Sequence, residues 1–426
     1  MSKGQELYAL AERLYPIARS ITGQGVRDTL AILKENLPDM LVQSVPSGTR
    51  CFDWTVPREW CIRSARITCP DGSVICDFSK QNLHVMGYSV PVDMTISLEE
   101  LQKHLFSIPE MPDAIPYITS YYSDNWGFCI ADSDRQKLKQ GDYHVYIDSE
   151  LFDGVLNYGE LYIPGETSEE IFISTYICHP SMGNNEVSGP VVSTYLAMAV
   201  QAMKDRSYSY RFVFIPETIG SILYISQHID EMKKNIKAGA VLTCIGDDRG
   251  YSYLESRYAD SYSDMVARHI MKHIDPNYKT YSFLHRGSDE RQYCSPNVDL
   301  PIVSIMRSKY ATYPEYHTSL DNMDMISPSG LQGGYTAAFR FIEAIENDCI
   351  PVTNVYCEPQ LGKRGLYPTV STKDSGMQLR DMMNLIAYAD GRNSLIEIAE
   401  KIGVPVWELY DHLRRLKDEG LMTLSR

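Results

Sequence analysis

Between residues 170 and 346 the chain alternates short, almost wholly apolar runs with longer stretches whose apolar positions recur at helical spacing. The runs are IFISTYI (171–177), RFVFIP (211–216), AGAVLTCIG (238–246) and LPIVSIM (300–306), and helical patterns begin near 190, 221, 261 and 330. A strand that reads as continuously apolar is covered on both faces, and helices between such strands provide the cover. The expected fold is α/β, a mostly parallel mixed sheet flanked by helices. Ligands in sheets of this kind gather beyond the carboxyl ends of the strands. The polar residues directly after each run are therefore the ones to inspect.

The rest of the chain adds satellites to this core. With 426 residues it exceeds one typical domain. Residues 5–37 carry two helical patterns separated by the break ITGQGVRDT. From 51 to 114 the texture changes to CFDWTVP, ARITCP, SVICDF and HVMGYSVPV, short β-like runs cut by Pro and Asp-Gly, which predicts an inserted β-rich domain. Residues 1–50 and 115–355 then form the core domain, with YHVYID and GELYIP read as its opening strands. A linker with Pro and Gly leads to 370–426, where three helical stretches and a short strand predict a winged-helix-like domain.

Charge and cysteine usage narrow the setting. The formal net charge of −15 argues against a general nucleic-acid binder. The winged-helix-like tail is no exception, because residues 376–426 hold seven basic and eight acidic side chains. Its third helix carries Glu408, Asp411, Asp418 and Glu419 beside Arg414, Arg415 and Lys417, a mixture that suits docking or self-association better than phosphate. No stretch is long and apolar enough to span a membrane. Ten cysteines without a CxxC pair read as reduced thiols in a cytoplasmic protein.

The turns after the strands supply His179, Asn184, Asn185 and Glu186 in CHPSMGNNEVSG, Glu217 in IPETIGS, Asp247 and Asp248 in CIGDDRG, and His317 in YPEYHTSLDNMD. Histidines and carboxylates at strand ends have the composition of a hydrolytic zinc site, which needs a few ligands and one open position for water. Glu217 suits the base that takes the proton of that water. The rival readings are plainer. Glu217 could cap the helix that follows, Asp247 could form a turn, and HPSMG could be a nucleophile elbow at Ser181, although His replaces the glycine that such an elbow begins with.

The segments SITGQGVRDTL, DWTVPREW, NLHVMGYSVPVD, ICHPSMGNNEVSG, PETIGS, GSDERQYCSP and YPEYHTSLDNMD, in this order, resemble the zinc aminopeptidase and glutaminyl-cyclase superfamily. The resemblance is closest to a bacterial aminopeptidase-like branch with an inserted β domain and a C-terminal winged helix. It implies a zinc-dependent aminopeptidase or amidohydrolase that cleaves an amide bond of a small peptide or aminoacyl substrate. It places a metal-binding histidine at His179, a general base at Glu217 and a second metal-binding histidine at His317. The position of the bridging Asp is Asn185 here, the acid beside the base is Thr218, and the Asp at the next strand end is Thr243, with Asp247 four residues on as a substitute. Two dications need a bridging anion between them, so these replacements imply one zinc ion rather than two. The ligands expected on this basis are His179, Asn185, Asp247 and His317, with Glu186, Glu290, Arg291 and Tyr316 around the substrate. The same replacements also suit a catalytically inactive ligand-binding descendant, and the tail suits a metabolite-responsive regulator. Self-association would use the insert or the C-terminal domain.

Overall fold

The computed structural model describes residues 2–366 and 373–425. It divides into two compact units, Met1–Ser263 with Lys279–Ala338, and Asp264–Tyr278 with Phe339–Arg426.

An eight-stranded sheet organises the first unit. Its centre is Glu170–Tyr176, every residue of which is buried, flanked in parallel by Ser209–Ile215 and Ile236–Leu242. Ile302–Met306 extends the parallel set, while Val155–Ile163 and Leu41–Pro46 close one edge and Ser252–Leu254 and Lys279–Tyr281 the other. The sheet is mixed at its edges and parallel where the apolar runs lie, because only strands covered on both faces need apolar residues at every position. The helix Ser188–Ala202 packs against it through Gly189, where a Cβ would stand 2.5 Å from the Leu242 carbonyl oxygen. That close approach admits only glycine.

A four-stranded antiparallel sheet forms the insert, in the order Val74–Ile75, Glu59–Thr68, Asp142–Phe152, Val92–Ser97. The strand Asp142–Phe152 therefore belongs with the insert, contrary to the place among the core strands expected from its sequence position. It pairs Val145 with Ile67 and Ile147 with Ala65. Its alternating burial is the pattern of a strand with one covered face, whereas the central strands of the large sheet have two. The hairpin Arg50–Cys51 with Trp54–Thr55 precedes this sheet.

The second unit contains the helices Lys373–Tyr388, Leu395–Ile402 and Tyr410–Asp418, and a two-stranded ladder of Ile350–Thr353 with Met422–Ser425. Ser394 starts the middle helix with a capping box to Glu397, and Gly403 ends it at φ +76. This is a helix-turn-helix with a short wing. The position 370 expected as its start lies outside the described residues. None of the ten cysteines is in a disulfide, and no described helix is long and apolar enough to cross a membrane.

Candidate active site

Two adjacent parallel strands end side by side and deliver the first two groups. Beyond Glu170–Tyr176 the chain continues through Ile177, whose N–H donates to the Ile215 carbonyl, to Cys178 and His179. Beyond Ser209–Ile215 it turns at Pro216 to Glu217, whose N–H donates to the Cys178 sulfur at 3.3 Å. His179 Nε2 and Glu217 Oε2 end 3.7 Å apart. The loop after Ile302–Met306 supplies His317, with its ring centroid 5.3 Å from that of His179. His317 sits at φ +56, held there by the Tyr117 N–H on its carbonyl, and its ring stacks on Tyr316 at 3.9 Å. Thr218, at φ +65, is a β-branched residue in left-handed backbone, a strain that concentrates at functional sites. The sequence expectation that His179, Glu217 and His317 converge is what the folded chain shows.

Behind His179 lies a buried chain of charges. Glu186 Oε2 accepts from His179 Nδ1 at 3.0 Å and from the His179 backbone N–H at 2.9 Å. Its other oxygen is 3.3 Å from Arg19 Nε, and both side chains are almost fully buried. Arg19 also donates to the carbonyls of His179 and Leu14. Glu186 therefore orients His179 from behind and does not face substrate, which corrects the role expected for it. Burial disfavours the charged imidazole, but Cys178, Glu186 and Glu217 together outweigh it and hold the proton affinity of His179 well above the ordinary value. Burial likewise raises Glu217, with His179 opposing. His317 goes the other way: burial, aided by the charge on His179, pushes it down to about 3, so this ring is neutral. Its Nε2 is buried with no hydrogen-bond partner.

Asp289 adds a further buried carboxyl. Its Oδ1 accepts from the Thr218 N–H at 2.7 Å and Ser221 Oγ at 2.8 Å, which fixes the strained turn after Glu217. Burial and then the charge of Glu217 raise it to about 7, from 3.8 in an ordinary setting. In the folded state this group keeps a proton that the unfolded chain releases near pH 4. Its contribution to stability is therefore complete below about pH 4 and is lost as pH rises through about 7. Asp289→Asn should flatten the decline of Tm between about pH 5 and pH 8; a slope equal to that of the unmodified protein would contradict this.

Several expected residues serve the scaffold instead. Asp247 accepts from the Arg249 N–H, Ser308 Oγ, the Ser308 N–H and Asn184 Nδ2, at 2.8–3.0 Å, so both carboxylate oxygens are filled by loop donors and it is not a ligand. Asp247→Ala should cost about 1–3 kcal/mol for each donor left unsatisfied, read by urea unfolding, and leave metal content unchanged. Asn185 Oδ1 accepts from the Tyr176 hydroxyl, which also bonds Thr243, so a neutral hydrogen-bonded chain joins two of the positions where ligands were expected. Asp321, missed in the sequence, accepts the N–H groups of Asn184 and Asn185 and the Tyr313 hydroxyl. Glu290 is wholly buried and binds the N–H groups of Gly287 and Ser288, Tyr310 and Ser304; it cannot reach a substrate. Ser181 bonds Tyr15 and Asn82, neither of them a base, so nothing activates it as a nucleophile.

A cavity of about 340 Å³ opens over His179, Glu217 and His317. Arg291, Thr218, Trp54, Tyr117, Tyr121 and Tyr122 line it as well. Tyr316 contributes by backing the His317 ring. The aromatic wall was missed because a chain with 30 tyrosines gives no single one prominence.

The family model described as "Domain of unknown function (DUF4910)" matches residues 8–348, and a winged helix-turn-helix model matches 349–424. The chain belongs to this family. A relative from Clostridium acetobutylicum, described as a "putative polysaccharide biosynthesis protein with aminopeptidase-like domain", is 45% identical over 403 residues, 94% of this chain and 92% of its own length. The crystal structure of a "putative peptidase" from Clostridium acetobutylicum superposes with a TM-score of 0.93 at 43% identity, over 99% of this chain and 96% of that one. A zinc aminopeptidase from Bacillus subtilis matches 80% of this chain and 95% of its own at a TM-score of 0.57 and 13% identity, which establishes a shared fold. The resemblance to zinc aminopeptidases read from the motifs is therefore borne out at the level of the fold.

The donors suit a transition-metal ion of the kind that imidazoles bind. Two histidines line the cavity, one oriented by a carboxylate on its far nitrogen and the other with a buried nitrogen that has no partner. Asn185, Thr218 and Thr243 are neutral and bonded to protein groups. Among the described residues two trios bring ligand atoms within 4.8 Å of one another, Cys178–His179–Glu186 and His269–His273–Glu400. The first is the hydrogen-bonded set behind His179, closed by Arg19. In the second, His269 bonds Glu400 through Nδ1 and the Val406 N–H through Nε2, which leaves that ring no free ligand atom.

Proposed function

We propose that the chain is a metal-dependent hydrolase of peptidase type that cleaves an amide bond of a small peptide or aminoacyl substrate with the help of one zinc ion. The observation that carries this reading is the unpartnered, buried Nε2 of His317, a residue that lines the same cavity as His179 and Glu217. His179 and His317 would hold the ion, which would supply Lewis acidity and an activated water. Glu186 keeps the His179 ring turned so that Nε2 faces the cavity. Glu217 receives the proton of the attacking water and returns it to the leaving nitrogen, a role that its raised proton affinity suits near neutral pH. The aromatic wall limits access of bulk water and sizes the cavity for a small substrate. Ten cysteines outside disulfides support a reducing, cytoplasmic setting.

The test is hydrolysis of a panel of small amides by the purified protein before and after chelation. Activity that disappears with the metal and returns on adding one equivalent of zinc supports the reading. Activity unaffected by complete metal removal would sink it.

A further inference from the structure

The cavity is lined by a cation that makes no direct ion pair among the described residues. Arg291 bonds Thr218 Oγ1 through Nη2, and its Nε is buried with no hydrogen-bond partner. Among the described residues no carboxylate lies within 4.0 Å of this guanidinium. Its neighbour Glu290 is turned inward and saturated by four donors. Asp289 is committed through Oδ1 to Thr218 and Ser221. A guanidinium that lines a cavity and keeps N–H groups without partners suits a planar anion, and carboxylate matches the guanidinium fork with two parallel hydrogen bonds.

The opposite charge is scarce. Glu217 is the one carboxylate among the residues lining the cavity, and it faces His179. A substrate with a free N-terminal ammonium would meet the Arg291 guanidinium with no spare acid to hold it. An acylated amine beside a free carboxylate meets the reverse. The wall of Trp54, Tyr117, Tyr121 and Tyr122 offers flat apolar faces to a ring or aliphatic side chain.

We propose that Arg291 anchors a substrate carboxylate, so that the site takes N-acylated amino acids, or peptides through their carboxyl-terminal residue, and not free amino termini. The proposal rests on the hydrolase reading only for the fate of the ligand, not for its recognition. In that reaction water adds to the acyl carbon, the C–N bond breaks, and the proton taken from water ends on the nitrogen of the released amino acid. The products are a carboxylic acid and a free amino acid.

The experiment compares N-acetyl-L-tyrosine, N-acetyl-L-tyrosinamide and L-tyrosinamide by calorimetric binding and by hydrolysis, in the full chain and in Arg291→Gln and Arg291→Lys. The carboxylate ligand should bind about 10- to 100-fold more tightly than its carboxamide, the size expected for hydrogen bonds to a charged group. Arg291→Gln should abolish that difference, with an unchanged far-ultraviolet circular-dichroism spectrum showing that the variant is folded. Arg291→Lys should restore part of the difference, since a lysine keeps the charge but not the fork. Equal binding of the two acetylated ligands, or tighter binding of L-tyrosinamide than of either, would overturn the proposal. Arg291-dependent binding of N-acetyl-L-tyrosine without hydrolysis of any of the three amides would uphold the recognition and count against the hydrolase reading.

Discussion

Glu217→Gln is expected to lower kcat by about 10²- to 10⁴-fold, the usual contribution of a positioned general base, while zinc content stays the same. Glutamine preserves the shape of the side chain and its place beside His179 but cannot take the proton of water. The side chain is half-buried, and desolvation together with the nearby Glu290 raises its proton affinity against the opposing pull of His179, Ser288 and Arg291. Because the base must be deprotonated to act, the acid limb of kcat/KM should lie above the ordinary carboxylate range. That limb should vanish in Glu217→Gln. Paired measurements of the pH profile and of metal stoichiometry check both statements. A variant that loses its zinc would show Glu217 to be a ligand, and one that keeps its kcat would remove it from the reaction.

The second large effect lies one step back from the cavity. Glu186→Gln should destabilise the protein by about 3–5 kcal/mol, because it leaves the Arg19 guanidinium buried without its counter-ion. The same change weakens the hold on His179, and zinc affinity should fall by about 10- to 100-fold, the usual cost of removing a carboxylate that orients a ligating histidine. Urea unfolding measures the first effect and competition with a chelator the second. The two need not scale together. Loss of affinity with unchanged stability would mean that Arg19 finds other acceptors, such as the carbonyls it already meets at Leu14 and His179.

These two residues also show what a sequence can and cannot reveal. His179, Glu217 and His317 were legible because each follows a strand whose apolar run is unmistakable, and parallel strands must deliver their ends to one edge. Glu186 was noticed, but its partner was not. Arg19 sits in PIARSITG, where nothing local marks it as buried, and it acts on a residue 160 positions away. Asp247 misled for a related reason. An acid in GDDRG reads equally as a turn or a ligand, and only the arrival of Asn184 and Ser308 from distant segments decides for the turn. Asp321 was passed over in HTSLDNMD although it secures the turn that carries Asn185. The strand Asp142–Phe152 was assigned to the wrong sheet because strand pairing is a long-range choice that one-dimensional pattern leaves open, even where the alternation correctly signals a strand with one covered face.

An anomalous-difference map recorded at the zinc absorption edge on crystals of the zinc-loaded protein bears most directly on the single-metal site. It should show one peak per chain, between the imidazole rings of His179 and His317 and beside Glu217. Two peaks bridged near Asn185, or none between the two histidines, would contradict it.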